Sequence, residues 1–309
     1  MIRTLVTVFA GFLGLAFGSF LNVCLSRWPE EESVVHPRSH CRNCPHTLAW
    51  WENIPLLSWI MLRGRCRACN APISVRYPLV ELAVGLLWAV TAWRIVPELN
   101  SEALPFMTIA SNLVAAAGTM LFYWLLVALA ALDAEHLWLP NMITIPGIFL
   151  GILFSIGRAL LIALSPAHNM ENRFEAIRYE VVPVVMWTAI AIVVCAGLLL
   201  LIRWLYWIFR RREGMGLGDV KLIAMLAAWL GLPATLLAFF ISALLGAIAG
   251  LVVIALPAAR DEGEGWATTK LPFGTFLCIG GIVSSLWGES IIAAYLHMIG
   301  ISAINLLLW

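Results

Sequence analysis

Arg212-Glu-Gly-Met-Gly-Leu-Gly-Asp-Val-Lys-Leu222 places three alternating glycines ahead of an aspartate, Asp219, and then opens an apolar run. The chain has only three aspartates, Asp133, Asp219 and Asp261, and the first two each stand at the end of a stretch fit to cross a membrane. Carboxylates at such boundaries are rare because burying charge is costly, and they are usually functional or paired. The reading therefore turns on whether Asp133 and Asp219 belong together.

Composition sets the class around them. Hydrophobic residues make up 62% of the 309 and charged residues 12%, against about 25% charge in soluble domains, so a polytopic all-α membrane protein is expected. Each membrane helix needs about 20 apolar residues. The net charge of +1 matters less than where the 19 Lys and Arg residues fall, since short loops rich in them stay in the cytoplasm.

The first run, residues 4–24, reads as a retained helix and not a cleaved signal peptide. Only Arg3 precedes it, whereas Leu25 to Tyr77 carries seven arginines. Gly11, Gly14, Gly18 and Ser19 would let a neighbouring helix approach closely. Further spans are expected at Arg76 to Val96, Phe106 to Leu132, Leu139 to Leu164 with a bend at Pro146, Val181 to Phe209, Val220 to Leu230 and Thr235 to Leu256. Ser165 to Glu180 reads as an external loop, and the tail from Leu271 breaks near Gly288 and Glu289. About eight transmembrane helices result, or nine if the tail crosses separately. This topology puts 14 of the 19 basic residues inside, and it sets Asp133 and Asp219 on that same face.

Leu25 to Tyr77 is the one polar segment large enough for a small domain, so the chain divides into a first helix (1–24), this segment (25–77) and a membrane core (78–309). Cys41-x-x-Cys44 and Cys66-x-x-Cys69 form a zinc-ribbon pattern: four thiolates suit tetrahedral Zn²⁺, which folds a segment too short for its own core. Two disulfides, disfavoured by a reducing cytoplasm, or thiols with no ligand role are the alternatives. His36, His40 or His46 could replace one thiolate. Trp50, Trp51, Leu56, Leu57, Trp59 and Ile60 make an apolar patch that suits a membrane interface. Cys24, Cys195 and Cys278 read as packing residues.

Asp219 alone would serve as a helix N-cap, and Asp133 as a solvated loop residue. Together they suit peptide hydrolysis, in which two carboxylates share a water and need no cofactor. On helix ends alone, Asp219 at an N-terminus is the expected base and Asp133 at a C-terminus holds the proton. Glu135 is a competing partner, though two residues along a helix turn it away from Asp133. Lys221 would neutralise nearby charge or reach the headgroups.

Gly216-Leu217-Gly218-Asp219 with Val220-Lys221-Leu222 resembles the G-x-G-D motif of the bacterial prepilin peptidases. Other motifs follow in family order: Gly18 to Val23, both Cys-x-x-Cys pairs, Glu52 to Trp59, Arg76 to Glu81, Asp133 with Leu139-Pro140, and Pro272-Phe273-Gly274. The resemblance covers nearly the whole chain. It implies that Asp133 and Asp219 are the catalytic dyad of an intramembrane aspartic protease, supported by Gly216, Gly218 and Lys221. The substrate it implies is a type IV prepilin or type II secretion pseudopilin, cut at the cytoplasmic face of the inner membrane. It also implies N-methylation of the new terminus from S-adenosylmethionine, with no residues assigned to that donor. The family often has Asp where this chain has Asn141. Membrane lipid is the other expected partner and nucleic acid is not, while nothing sets an oligomeric state. A presenilin-like protease shares the G-x-G-D aspartate but not the zinc segment. An ion-coupled transporter would hold its aspartates near the midplane.

Overall fold

In hydrocarbon the backbone finds hydrogen-bond partners only within its own helix, so these apolar runs can fold in one way. The computed structural model describes residues 2–99, 106–164, 173–211, 216–255 and 271–299, and among them there is no strand. The helices are α1 (Ile2–Arg27), α2 (Leu57–Met61), α3 (Arg76–Leu99), α4 (Phe106–His136), α5 (Asn141–Ala163), α6 (Arg173–Arg210), α7 (Leu217–Ala255) and α8 (Phe273–Met298). All but the five-residue α2 are long and apolar enough to cross a membrane, so the protein is a multi-pass membrane protein. The chain forms two compact units, Met1–Ala131 and Leu132–Trp309.

In the first unit α1 and α3 run antiparallel, tied by Asn22 Nδ2 donating to the Tyr77 carbonyl (2.9 Å) and Arg3 Nε donating to the Trp93 carbonyl (3.2 Å). Small residues set the separation. A Cβ placed on Gly18 would stand 2.7 Å from the Glu81 Cα, and one on Gly14 would stand 2.9 Å from the Val84 oxygen. Indole N–H groups attach α4, Trp88 donating to the Met120 carbonyl (2.9 Å) and Trp124 to that of Phe17 (3.1 Å).

In the second unit α7 is one helix by hydrogen bonding but reverses direction at Gly231 (φ 73°, ψ −179°). Only glycine adopts that conformation readily, and Pro233 withdraws a further backbone donor. The contacts establish the reversal. Residues before the break run parallel to α5, with Lys221 on Asn141 and Trp229 Nε1 on the Gly147 carbonyl (2.8 Å). Residues after it run antiparallel to α8: Ser284 Oγ donates to the Ala234 carbonyl (2.6 Å), Ser242 Oγ to that of Phe276 (3.0 Å), and Gly250 faces Leu271. Thr235 Oγ1 donates to the Gly231 carbonyl (2.6 Å), so hydroxyls satisfy oxygens freed by the break. The two passes expected from the sequence are therefore present, joined end to end. Gly231→Ala should destabilise the protein by about 1–3 kcal/mol despite open space at that position, through backbone strain alone, and thermal unfolding in detergent would register it.

Two expected boundaries move. Arg173 to Glu180 is helical and not loop, with Glu175 in the first turn where a helix N-terminus favours an acid. Helix α8 continues through Gly288 and Glu289 without a break, because Gly288 packs against Ser284 and Leu237 at the helix interface. A ninth span, in 300–309, and the loop with Arg260, Asp261, Glu262, Glu264 and Lys270 lie outside the described residues.

Candidate active site and metal centre

Asp133 lies in the last turn of α4 and Asp219 in the first turn of α7; both are buried, 5% and 9% exposed. The two simpler readings fare differently, since Asp219 still accepts the Gly216 N–H at its helix start. Asp133 is not a solvated loop residue, and Asp219 is the third residue of its helix, with Gly216 before the first. Gly218, which precedes Asp219, and Gly274, which lies against Asp133, pack on one side chain.

The Leu139 side chain holds the surrounding elements together. A Cβ on Gly218 would stand 3.0 Å from Leu139 Cβ, and one on Gly274 would stand 2.9 Å from both Leu139 Cδ1 and Asp133 Oδ2. Side chains at Gly218 or Gly274 would push α7 or α8 off this contact, which gives a packing reason for a glycine on either side of it. A Cβ on Gly216 would stand 3.7 Å from Asp219 Oδ2.

Asp133 Oδ2 accepts from the backbone N–H of Thr275 (2.7 Å) and from its Oγ1 (3.2 Å). The Thr275 amide lies in the first turn of α8, where N–H groups have no partner inside the helix. Helix ends read in sequence put Asp133 against the negative end of α4, and the positive end of α8 compensates it. Thr275 was not foreseen; its one signal is the Pro272 that precedes the helix start. Glu135 is turned away and pairs with His136 at 3.8 Å. Lys221 Nζ donates to Asn141 Oδ1 at 2.6 Å, so it fastens α7 to α5 and does not reach for headgroups.

In the segment between α1 and α3 the four expected cysteines converge. The sulfurs of Cys41, Cys44, Cys66 and Cys69 all lie within 4.8 Å of one another, with Cys41 to Cys69 at 3.8 Å and Cys44 to Cys66 at 4.0 Å. Sulfurs about 2.3 Å from a tetrahedral zinc would be about 3.8 Å apart, so this set fits the ion. The two turns repeat one geometry, Cys41 N–H donating to the His46 carbonyl and Cys66 N–H to that of Ala71, each at 2.9 Å. The amides of Cys69 and Ala68 hold the Cys66 thiol down at about 6. Although the His46 amide donates to Cys44, burial and the three neighbouring sulfurs push it up to about 12. A dication among the four sulfurs would take the place of the thiol protons.

No histidine joins the four sulfurs. His46 Nε2 meets the buried Glu52 carboxylate at 3.1 Å, and Glu52 also accepts from the Ala49 N–H at 2.7 Å. Burial by itself raises the Glu52 carboxyl, but Ala49 and His46 outweigh it and keep it below its usual range.

Residues 12–95 match the bacterial peptidase A24 N-terminal domain, and residues 120–251 match the type IV leader peptidase family. A relative from Stutzerimonas stutzeri is 34% identical over 310 residues, covering 92% of this chain and 92% of its own. One from Aeromonas hydrophila is 36% identical over 310 residues, 91% of each chain, and one from Pseudomonas putida is 33% identical over 324 residues, 96% and 94%. All three carry the name prepilin leader peptidase/N-methyltransferase. No solved structure is detectably similar.

Proposed function

Because the chain belongs to the type IV leader peptidase family, we propose that it cuts the short basic leader from prepilins or pseudopilins with Asp133 and Asp219 as its acid–base pair, then methylates the new N-terminus. The observation that carries this reading is the burial of two carboxyls at facing helix ends, one of them fixed by Thr275.

One carboxylate takes a proton from water as the oxygen attacks the scissile carbonyl carbon; the other, protonated, donates to the carbonyl oxygen. A proton then passes to the leaving nitrogen, and the C–N bond breaks. Two donors from Thr275 favour the anion at Asp133, so the base is Asp133 and the shared proton rests on Asp219, the reverse of the division expected from helix ends alone. In so close a pair the proton belongs to both groups. Thr275→Val, which keeps shape and amide but loses the hydroxyl, should lower kcat about tenfold and leave KM in place, with Thr275→Ser restoring it.

S-adenosylmethionine supplies the methyl group. A zinc ion on four cysteines has no open position, so its part is to fold residues 28–75. The arginine bias supports the cytoplasmic face of the inner membrane for both the aspartates and this segment. The test is a purified chain with a model prepilin and S-adenosylmethionine, its products read by mass spectrometry. A shortened product with one added methyl is expected; an uncut substrate would refute the peptidase reading.

A further inference from the structure

The metal-binding segment makes a contact that a domain standing free in the cytoplasm would not make. Leu56 N–H donates to Glu81 Oε2 at 2.8 Å. Glu81 is five residues inside α3, about 7.5 Å along the helix from Arg76, on the face that packs against Gly18 of α1. Its side chain tilts back toward the helix start, which still leaves the carboxylate within the interfacial layer. Leu56 therefore sits at the depth of the first turns of α3.

The residues that follow carry large apolar side chains pointing away from the protein. Leu57 is 55% exposed, Ile60 64% and Met61 66%, and Trp50 on the preceding turn is 77% exposed. Helix α2 has three apolar residues facing outward out of five, too many for a water-facing surface this small. Arg63, Arg65 and Arg67 come directly after it, all exposed, with Arg67 over the Trp51 ring at 5.0 Å. Apolar side chains with an adjoining rim of arginines and indoles match the acyl–headgroup boundary of a bilayer with anionic lipid. Large apolar side chains are exposed on the two helices as well, Phe17 and Phe20 on α1 and Leu79 and Leu82 on α3, the last two flanking the Glu81 that Leu56 meets.

We propose that Trp50, Leu57, Ile60 and Met61 insert into the bilayer next to α1 and α3, so that the four-cysteine segment lies on the membrane surface as an interfacial anchor. This holds for the first unit alone and does not depend on the peptidase reading.

A photoreactive benzoylphenylalanine placed at Ile60 or at Met61 of the full chain, in nanodiscs of phosphatidylethanolamine and phosphatidylglycerol, tests it. Irradiation should add the mass of one phospholipid at both positions and none at Asn70, which is exposed on the second cysteine turn. Metal content near that of the unlabelled chain confirms that the segment is folded. Absence of lipid adducts at Ile60 and Met61, adducts only to a second copy of the chain, or equal labelling at Asn70 would overturn the proposal.

Discussion

Asp133→Asn and Asp219→Asn should each stop leader cleavage, with turnover at least about 10³-fold down, because in the mechanism proposed above each removes one half of the acid–base pair. Neither change should cost the fold much. The amide oxygen that Asp133→Asn leaves in place still accepts from the Thr275 N–H, so α4 and α8 should stay together. Asp219 takes its backbone contact from Gly216, just before its own helix, and an amide oxygen accepts that N–H as well. Both variants should therefore remain folded, which thermal unfolding in detergent can verify alongside the assay. Because the double substitution removes parts of one unit, its loss should be little greater than either single loss. Cleavage that persists in both single variants would return the aspartates to a structural role.

Loss of the metal should have the second large effect. Structural zinc sites of this kind contribute about 10–16 kcal/mol of apparent binding energy to folding. Residues 28–75 have little else to hold them: Glu52, Gly64 and Cys66 are the only residues there that the structure buries, among a largely exposed segment. Cys41→Ser with Cys66→Ser takes one sulfur from each turn. Metal content should fall from about one ion per chain to almost none, and trypsin should cut rapidly after Arg63, Arg65 and Arg67. The helical content should hold, since α1 and α3 pack through Gly14 and Gly18 and not through the metal. Tight metal retention in that variant would mean that the four sulfurs do not form the site.

The parts legible in the sequence are those that short-range rules govern. Apolar length located the membrane passes, the Cys-x-x-Cys spacing located the sulfur cluster, and the arginine distribution grouped Asp133 with Asp219 before any contact was known. The parts that stayed hidden depend on which distant elements meet. Thr275 is 142 residues from Asp133, and the Pro272 beside it marks a helix start but not the carboxylate that this start meets. The end of α4 is only half of the surroundings of Asp133, because the first turn of α8 faces it as well. Likewise the partner of Lys221 is 80 residues away, and Glu52, the partner of His46, is near in sequence but stands there only as the start of a motif, with no sign of its burial.

The reversal in α7 also limits how far that helix reaches. Its first pass, from Leu217 to Leu230, is about 21 Å long, against a hydrocarbon core of about 30 Å. The turn at Gly231 therefore lies below the far headgroups or draws the bilayer thinner there, while the leg after it, to Ala255, is long enough to cross in full. Such an element does not tether itself to the far headgroups. The depth of its aspartate end is set instead by α5 and α8, which pack along its two legs.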